Sequence, residues 1–235
     1  MFTENVKARK RGRPPGQSDQ GAATRERLYD TAIRMISDRG YEATTLREIA
    51  KKADVSVGLL YRYFPSKQAV ITALYEELSG DFARQAAGMK PGKWRARFIF
   101  ALETSLGVLQ PHRTALRALI PVLIGDPVDG VFAPGTAASR IRVMHVFERA
   151  VADSTDAPPT VFAAALGRLL YLMHLAVLLW WLLDKTPQQR STKALVGLID
   201  QLLPSAALTL RLPSIRRSVI AIDELIREGL IGTAA

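Results

Sequence analysis

Apolar residues recur along this chain at intervals of three and four, the spacing that gathers them on one face of an α-helix. From Thr24 to Arg39 the stripe is Leu28, Ala32, Met35 and Ile36, and Gly40 follows as a helix stop. Leu46, Ile49, Ala50 and Ala53 make a second, shorter stripe. Leu60 and Phe64 sit four apart in a third segment, which Pro65 closes because the residue before a proline disfavours the α region. Val70, Leu74, Leu78 and Phe82 then repeat every four from Ser66 to about Gln85. The pattern stays helical from Lys93 to Leu109, with Trp94, Phe98, Leu102 and Leu106. It resumes from Pro111 to about Ile124 and from Thr136 to Asp153, with Ile141, Met144 and Phe147. Pro159 opens a long apolar helix to Asp184, and Pro187 another, which Pro204 is expected to bend or split. Ser214 is placed to cap a last helix ending at Gly229. Asp126 to Gly135, with two prolines and two glycines, reads as a loop. No strand alternation and no internal repeat occurs, so the expected fold class is all-α.

The stretch from Thr44 to Lys67 carries the sharpest local signals. Thr45-Leu46-Arg47-Glu48 is a capping box, in which a threonine hydroxyl meets the backbone N–H three residues on and the glutamate reaches back. Asp54-Val55 breaks the stripe, Ser56 can cap the next helix, and Ser66 the one after. Two short helices across a tight turn make a helix-turn-helix, whose second helix lies in a DNA major groove. Its outward positions here are Val57, Gly58, Leu59 and Arg62, with Tyr61 and Tyr63 on the flanks. A plain helical hairpin has the same spacing, so pattern alone leaves both readings open.

From Thr24 to about Tyr75 the chain resembles the DNA-binding domain of the TetR family of bacterial transcriptional regulators. The residues that carry the likeness are Gly40-Tyr41, Thr44-Thr45, Ile49-Ala50, Ala53, Val55-Ser56, Gly58, Leu60-Tyr61, Tyr63-Phe64 and Ser66-Lys67. Two positions depart from the usual pattern. Leu59 stands where a small or polar residue is common, and Asp54 where the turn usually has glycine; aspartate tolerates a left-handed turn. The resemblance implies that Thr45, Tyr61, Tyr63 and Lys67 meet phosphates, while Arg47, Val57, Gly58 and Leu59 lie at or near base edges. Arg62 joins them on helix geometry alone. It also implies a homodimer on a palindromic operator, a ligand pocket in the body, and release from DNA when a small effector binds.

Charge supports a nucleic-acid partner. Lys plus Arg total 32 against 22 Asp plus Glu, a net +10. Residues 1–20 hold Lys7, Arg9, Lys10, Arg11 and Arg13 with no core-forming stripe, and are expected to be a disordered basic arm. Arg11-Gly12-Arg13-Pro14 resembles the core of an AT-hook: glycine lets the backbone approach a groove floor, and arginines suit the negative potential of an A·T-rich minor groove. A generic basic tail on phosphates is the other reading. There are no cysteines, so disulfides and thiolate metal sites are excluded, and a cytoplasmic setting is expected. The run from Leu169 to Leu183 is shorter than a membrane span and carries His174, so it is read as a buried helix, with no membrane partner.

The expected division is therefore residues 1–20 as arm, 21–70 as a three-helix DNA-binding domain, and 71–235 as a helical effector-binding and dimerisation domain. His112, His145 and His174 are far apart, no HExxH, Walker or nucleophile-elbow pattern occurs, and neither a metal, a cofactor nor an enzymatic activity is expected. Trp180 and Trp181 stand about 100° apart on their helix, so one belongs to the core and the other to a partner subunit or ligand. The four-helix dimer interface is expected from the Pro159 and Pro187 helices of two chains. A pocket would lie on the opposite side, lined by Phe98, Leu102, Met144, Tyr171 and His174, and would take an apolar or amphipathic effector. A packed core in which Tyr171 and His174 satisfy each other is the competing reading. The competing function is a ligand-independent architectural DNA-binding protein.

Overall fold

A computed structural model of the chain describes residues 16–125 and 130–231, with backbone alone for residues 16–19. Arg11, Arg13 and the rest of the basic segment before residue 16 lie outside the described residues. Those described are helical, with no strand among them. Eleven α-helices follow in order: α1 (Gly16–Arg39), α2 (Leu46–Lys52), α3 (Val57–Tyr63), α4 (Lys67–Ala86), α5 (Trp94–Leu109), α6 (Arg113–Ala118), α7 (Ile120–Gly125), α8 (Ala137–Ala152), α9 (Thr160–Leu183), α10 (Arg190–Thr209) and α11 (Pro213–Ile226).

Four boundaries differ from the sequence reading. α1 begins at Gly16, inside the stretch assigned to the arm. The helix expected from Pro111 to Ile124 is broken at Leu119, because Pro121 has no N–H for the carbonyl four residues back and its ring crowds that carbonyl. α10 runs unbroken through Pro204, where the proline and Asp200, whose carbonyl it leaves without that donor, are both exposed to water. The chain turns instead at Leu210 to Leu212, bending by 113° into α11. Leu212, not Ser214, is the N-cap there, with Pro213 in the first turn where its missing N–H is harmless.

One buried apolar cluster runs from α1 through α4 into the body. α9 is its axis. Its length and mean hydropathy of 1.9 would suffice for a membrane crossing, yet half of it is covered by the other helices of this fold. α8 crosses α9 so closely at Gly167 that an added Cβ would lie 2.5 Å from the Glu148 Cα. Arg168, next in sequence, fastens three helices: it donates to Asp223 of α11 at 2.6 Å from both Nε and Nη2, and from Nη1 to Glu148 of α8 at 2.9 Å.

Two further arginines close helix ends. Arg97 donates to the Ala150 and Arg149 carbonyls at the end of α8, at 3.0 and 3.1 Å. Arg113 donates to the Trp181 and Asp184 carbonyls at and just beyond the end of α9, at 2.8 and 2.7 Å. A helix C-terminus leaves its last carbonyls without donors and carries partial negative charge, so a guanidinium answers both needs. Asp184 then organises the next turn by accepting from the backbone N–H and hydroxyl of both Thr186 and Thr192, bonds that hold its carboxyl well below the usual range.

Candidate DNA-binding face and ligand cavity

The capping box of α2 forms in full. The Glu48 N–H donates to the Thr45 hydroxyl at 3.3 Å, and the Glu48 carboxylate accepts from the Thr45 N–H at 3.1 Å and hydroxyl at 2.8 Å. Those bonds, the hydroxyl first, lower the Glu48 pKa. Ser56 caps α3 through the Leu59 N–H, and Ser66 caps α4 through the Ala69 N–H. Asp54 takes the left-handed conformation that the tight turn demands, at φ 52°. Leu60 and Phe64 are buried in the same apolar cluster as Ile49 and Ala50, and Arg25 of α1 stands over the Phe64 ring. The turn chemistry and the packing together fix the angle between α2 and α3.

Of the residues expected at DNA, Arg47 and Arg62 are exposed, Tyr61 is 47% and Val57 37% exposed, and Leu59 and Tyr63 are half-buried. A Cβ on Gly58 would meet nothing within 4 Å, so nothing inside the protein requires the glycine, although glycine in a helix costs about 1 kcal/mol against alanine. That bare surface suits close approach by something outside the chain. Two residues are more engaged than their sequence suggested. The only hydroxyl donor of Thr45 is held by Glu48, which leaves it a cap and not a free phosphate donor. Lys67 donates to the Tyr41 carbonyl at 2.9 Å with its ammonium 4.2 Å from the Tyr41 ring centre, and an ammonium keeps two further donors.

A partly open cavity of about 480 Å³ lies in the body. α4 contributes Tyr75, Leu78, Ser79 and Phe82 to its wall, α6 contributes Leu116, and α9 contributes Tyr171, His174 and Trp181. Tyr171 and His174 therefore line it as expected. Phe98, Leu102 and Met144 do not. They are buried behind the wall, where Phe98 packs on Phe147 at 5.9 Å between ring centres and Phe147 packs on His174 at 4.7 Å. The apolar stripe placed those three residues inward correctly, but inward there means solid core.

Polar groups in the cavity are few. His174 Nε2 and the Ser105 hydroxyl are 2.7 Å apart, while His174 Nδ1 and the Tyr171 hydroxyl have no hydrogen-bond partner, so the two side chains do not satisfy each other. Burial pushes the His174 pKa down to about 3 and raises that of Tyr171, so both are neutral at pH 7. Sequence reasoning missed Arg140, buried at 7% exposure on the cavity wall. Its signal was present: Arg140 stands four before Met144 and seven before Phe147, on the apolar face of α8.

Two elements of this wall reach the head. Only three residues separate α4 from α3, and α6 packs on α1. Arg142 of α8 donates to the Ser79 hydroxyl of α4 at 2.6 Å, tying a cavity residue of α4 to the body. Among the described residues no cluster of metal-ligating side chains occurs.

Residues 28–74 match the family described as "Bacterial regulatory proteins, tetR family". Over 169 residues the chain is 30% identical to the HTH-type transcriptional repressor KstR of Rhodococcus jostii, an alignment spanning 67% of this chain and 72% of that protein. Over 165 residues it is 31% identical to KstR of Mycolicibacterium smegmatis, spanning 67% and 76%. The fold is similar to that of a tetR-family transcriptional regulator from Streptomyces coelicolor, with a TM-score of 0.61, 20% identity and coverage of 86% and 89%. At that identity the structural likeness speaks for the fold.

Proposed function

The chain belongs to the TetR family of bacterial transcriptional regulators, proteins that bind DNA and are not enzymes, and from that premise we propose that it is a repressor released from its operator by a small effector. The observation that carries this reading is the cavity of about 480 Å³ whose wall includes four residues of α4. α4 follows the recognition helix almost directly, so a ligand that spreads the wall displaces the head. α6 offers a second route through its packing on α1. The ligand lowers operator affinity only by as much as it prefers the DNA-incompetent arrangement. A ligand-independent architectural protein needs no such space, which favours regulation over that alternative.

On DNA, Arg47 supplies hydrogen-bonded base readout from α2, and Arg62 a second donor from α3. Val57 and Leu59 present apolar surface of the kind that reads thymine methyl groups. Tyr61, Tyr63 and the remaining donors of Lys67 meet phosphates. The basic arm with Arg11 and Arg13 reaches an adjacent groove. The partner is a second copy of the chain: α9 and α10 leave Trp180, Leu183, Leu198 and Leu202 about half exposed, a stripe apolar enough to close a symmetric four-helix interface. Trp181 is buried, so Trp180 is the tryptophan that faces the partner. Such a dimer sets two heads about 34–36 Å apart on an inverted repeat in the cytoplasm.

The test compares binding of the wild type and Arg47→Ala to a duplex bearing an inverted repeat from beside the gene and to a random duplex of equal length. Arg47→Ala is expected to lose about 1–3 kcal/mol on the repeat and little on random DNA. Equal losses on both would refute base readout by Arg47. A monomer at micromolar concentration in sedimentation would sink the interface.

A further inference from the structure

Among the described residues Arg140 is the one cation on the cavity wall, and no carboxylate stands there. A guanidinium stays charged at any pH a protein meets, and a buried charge without a counter-ion is strongly destabilising. Arg140 is partly served: its Nη1 donates to the carbonyls of Ala133 at 3.0 Å and Val131 at 3.3 Å. These are neutral acceptors on one edge of the fork. The other edge, Nε with Nη2, has no acceptor among the described residues, and Nε is fully buried. That edge is the one that grips a carboxylate with two parallel bonds.

Arg140 does not stand alone. The Tyr171 hydroxyl is buried on the same wall without a partner. His174 Nδ1 adds a third unpartnered polar atom. The remaining wall is dominated by leucine, isoleucine, valine and aromatic side chains. The three unsatisfied atoms are covered at the edge of an apolar cavity, and a polar ligand head that reached them would supply the partner they lack. Building on the effector reading above, we infer that this cavity takes an elongated apolar molecule with a single carboxylate head, the head gripped by Arg140 and Tyr171 and the apolar chain running along α9. A volume of about 480 Å³ holds roughly 15 non-hydrogen atoms at about 30 Å³ each, the scale of a water in liquid.

Dodecanoate and dodecanol fit that size and differ only in the head. Both are titrated below their aggregation limits into the full-length protein while tryptophan fluorescence is followed, since Trp181 lines the cavity. The same titrations are run on Arg140→Gln, Arg140→Lys and Tyr171→Phe, each checked for an unchanged far-ultraviolet circular dichroism spectrum. Wild type is expected to bind dodecanoate at least tenfold more tightly than dodecanol. Arg140→Gln removes that preference, weakening dodecanoate far more than dodecanol. Arg140→Lys keeps a reduced preference, and Tyr171→Phe lowers it severalfold. If Arg140→Gln does not fold, the charge-keeping Arg140→Lys and the Tyr171→Phe variant carry the test: an undiminished preference in both overturns the inference. Dodecanol binding as tightly as dodecanoate to wild type, and releasing DNA, overturns the carboxylate while the effector reading stands. Binding of neither probe overturns both.

Discussion

Replacing Gly167 by alanine sets two effects of known size against each other. Alanine is favoured over glycine in a helix interior by about 0.8–1.0 kcal/mol, so propensity alone predicts a more stable protein. The added Cβ, however, would stand 2.5 Å from Glu148 Cα and 3.1 Å from Glu148 N and Cγ. Carbon atoms rest at about 3.5–4.0 Å, so α8 and α9 must part by about 1 Å. A gap of that size forfeits roughly a quarter to a half of the dispersion energy of each atom pair it opens. The obstacle is backbone, which has no rotamer to escape into. Arg168 resists the separation too, since it bonds Glu148 and Asp223 from the adjoining position. Overpacking of a closed core costs about 1–3 kcal/mol, and a rigid backbone clash belongs at the upper end. Taking about 3 against about 1 leaves a net loss of about 2 kcal/mol. For a chain of this length that lowers the melting temperature by about 4–8 °C. Gly107 is the control: it lies in α5, exposed, and its added Cβ meets nothing within 4 Å. Gly107→Ala is expected to raise the melting temperature by a few degrees, about 2–4 °C for each kcal/mol gained. Both variants are melted at one fixed protein concentration, because the proposed dimer would make the midpoint concentration-dependent. A Gly167→Ala midpoint that rises as the control does would show that α8 and α9 are not held at this distance.

Two other outcomes follow from the same geometry. His174 is neutral in the fold, with a pKa near 3 against an ordinary 6.5, so the unfolded chain binds the extra proton first. Its contribution is complete above pH 6.5 and is lost as pH falls toward 3, by up to about 1.4 kcal/mol per pH unit; urea unfolding of His174→Gln should show a stability difference from wild type that shrinks over that window, and a constant difference would contradict the burial of this ring. Deleting residues 1–15 should leave the helical signal intact and make the slope of log affinity against log salt shallower by about 0.9 for each phosphate that the arm neutralises; an unchanged slope would mean that the arm never meets DNA.

The head was legible because its determinants are local. Thr45 with Glu48, Ser56 and Ser66 each act within a few residues, so spacing announces the caps, while the left-handed turn at Asp54 came from the family resemblance. The helices of the body were legible from their stripes for the same reason. What spacing does not encode is whether an inward side chain meets atoms or space. Phe98, Leu102 and Met144 face inward into the packed core, Phe98 against Phe147, whereas Leu78 and Phe82 of α4 face the void. That difference arises from the arrangement of helices far apart in sequence. Three arginines were missed for another reason. Arg97, Arg113 and Arg140 read as ordinary surface charges until their acceptors are known, and those acceptors are backbone carbonyls, which every residue has. Arg140 alone had a readable sign in its register with Met144 and Phe147. The breaks at Leu119 and Leu210 show the limits of proline as punctuation: Pro121 breaks a helix that the apolar stripe carried across it, and Pro204 sits in an intact one because its environment is wet.

Filling the cavity and binding the operator are expected to oppose one another through α4 and α6, and this opposition underlies the proposed regulation. It is tested most directly by measuring both affinities in one system. A compound that binds the cavity, found by its effect on tryptophan fluorescence, is titrated into the protein with and without the inverted-repeat duplex, and the duplex is titrated with and without the compound at fixed salt. The compound is expected to weaken operator binding at least fivefold, a coupling of about 1 kcal/mol, and the operator to weaken compound binding by the same factor. A compound that occupies the cavity and leaves operator affinity unchanged would contradict it.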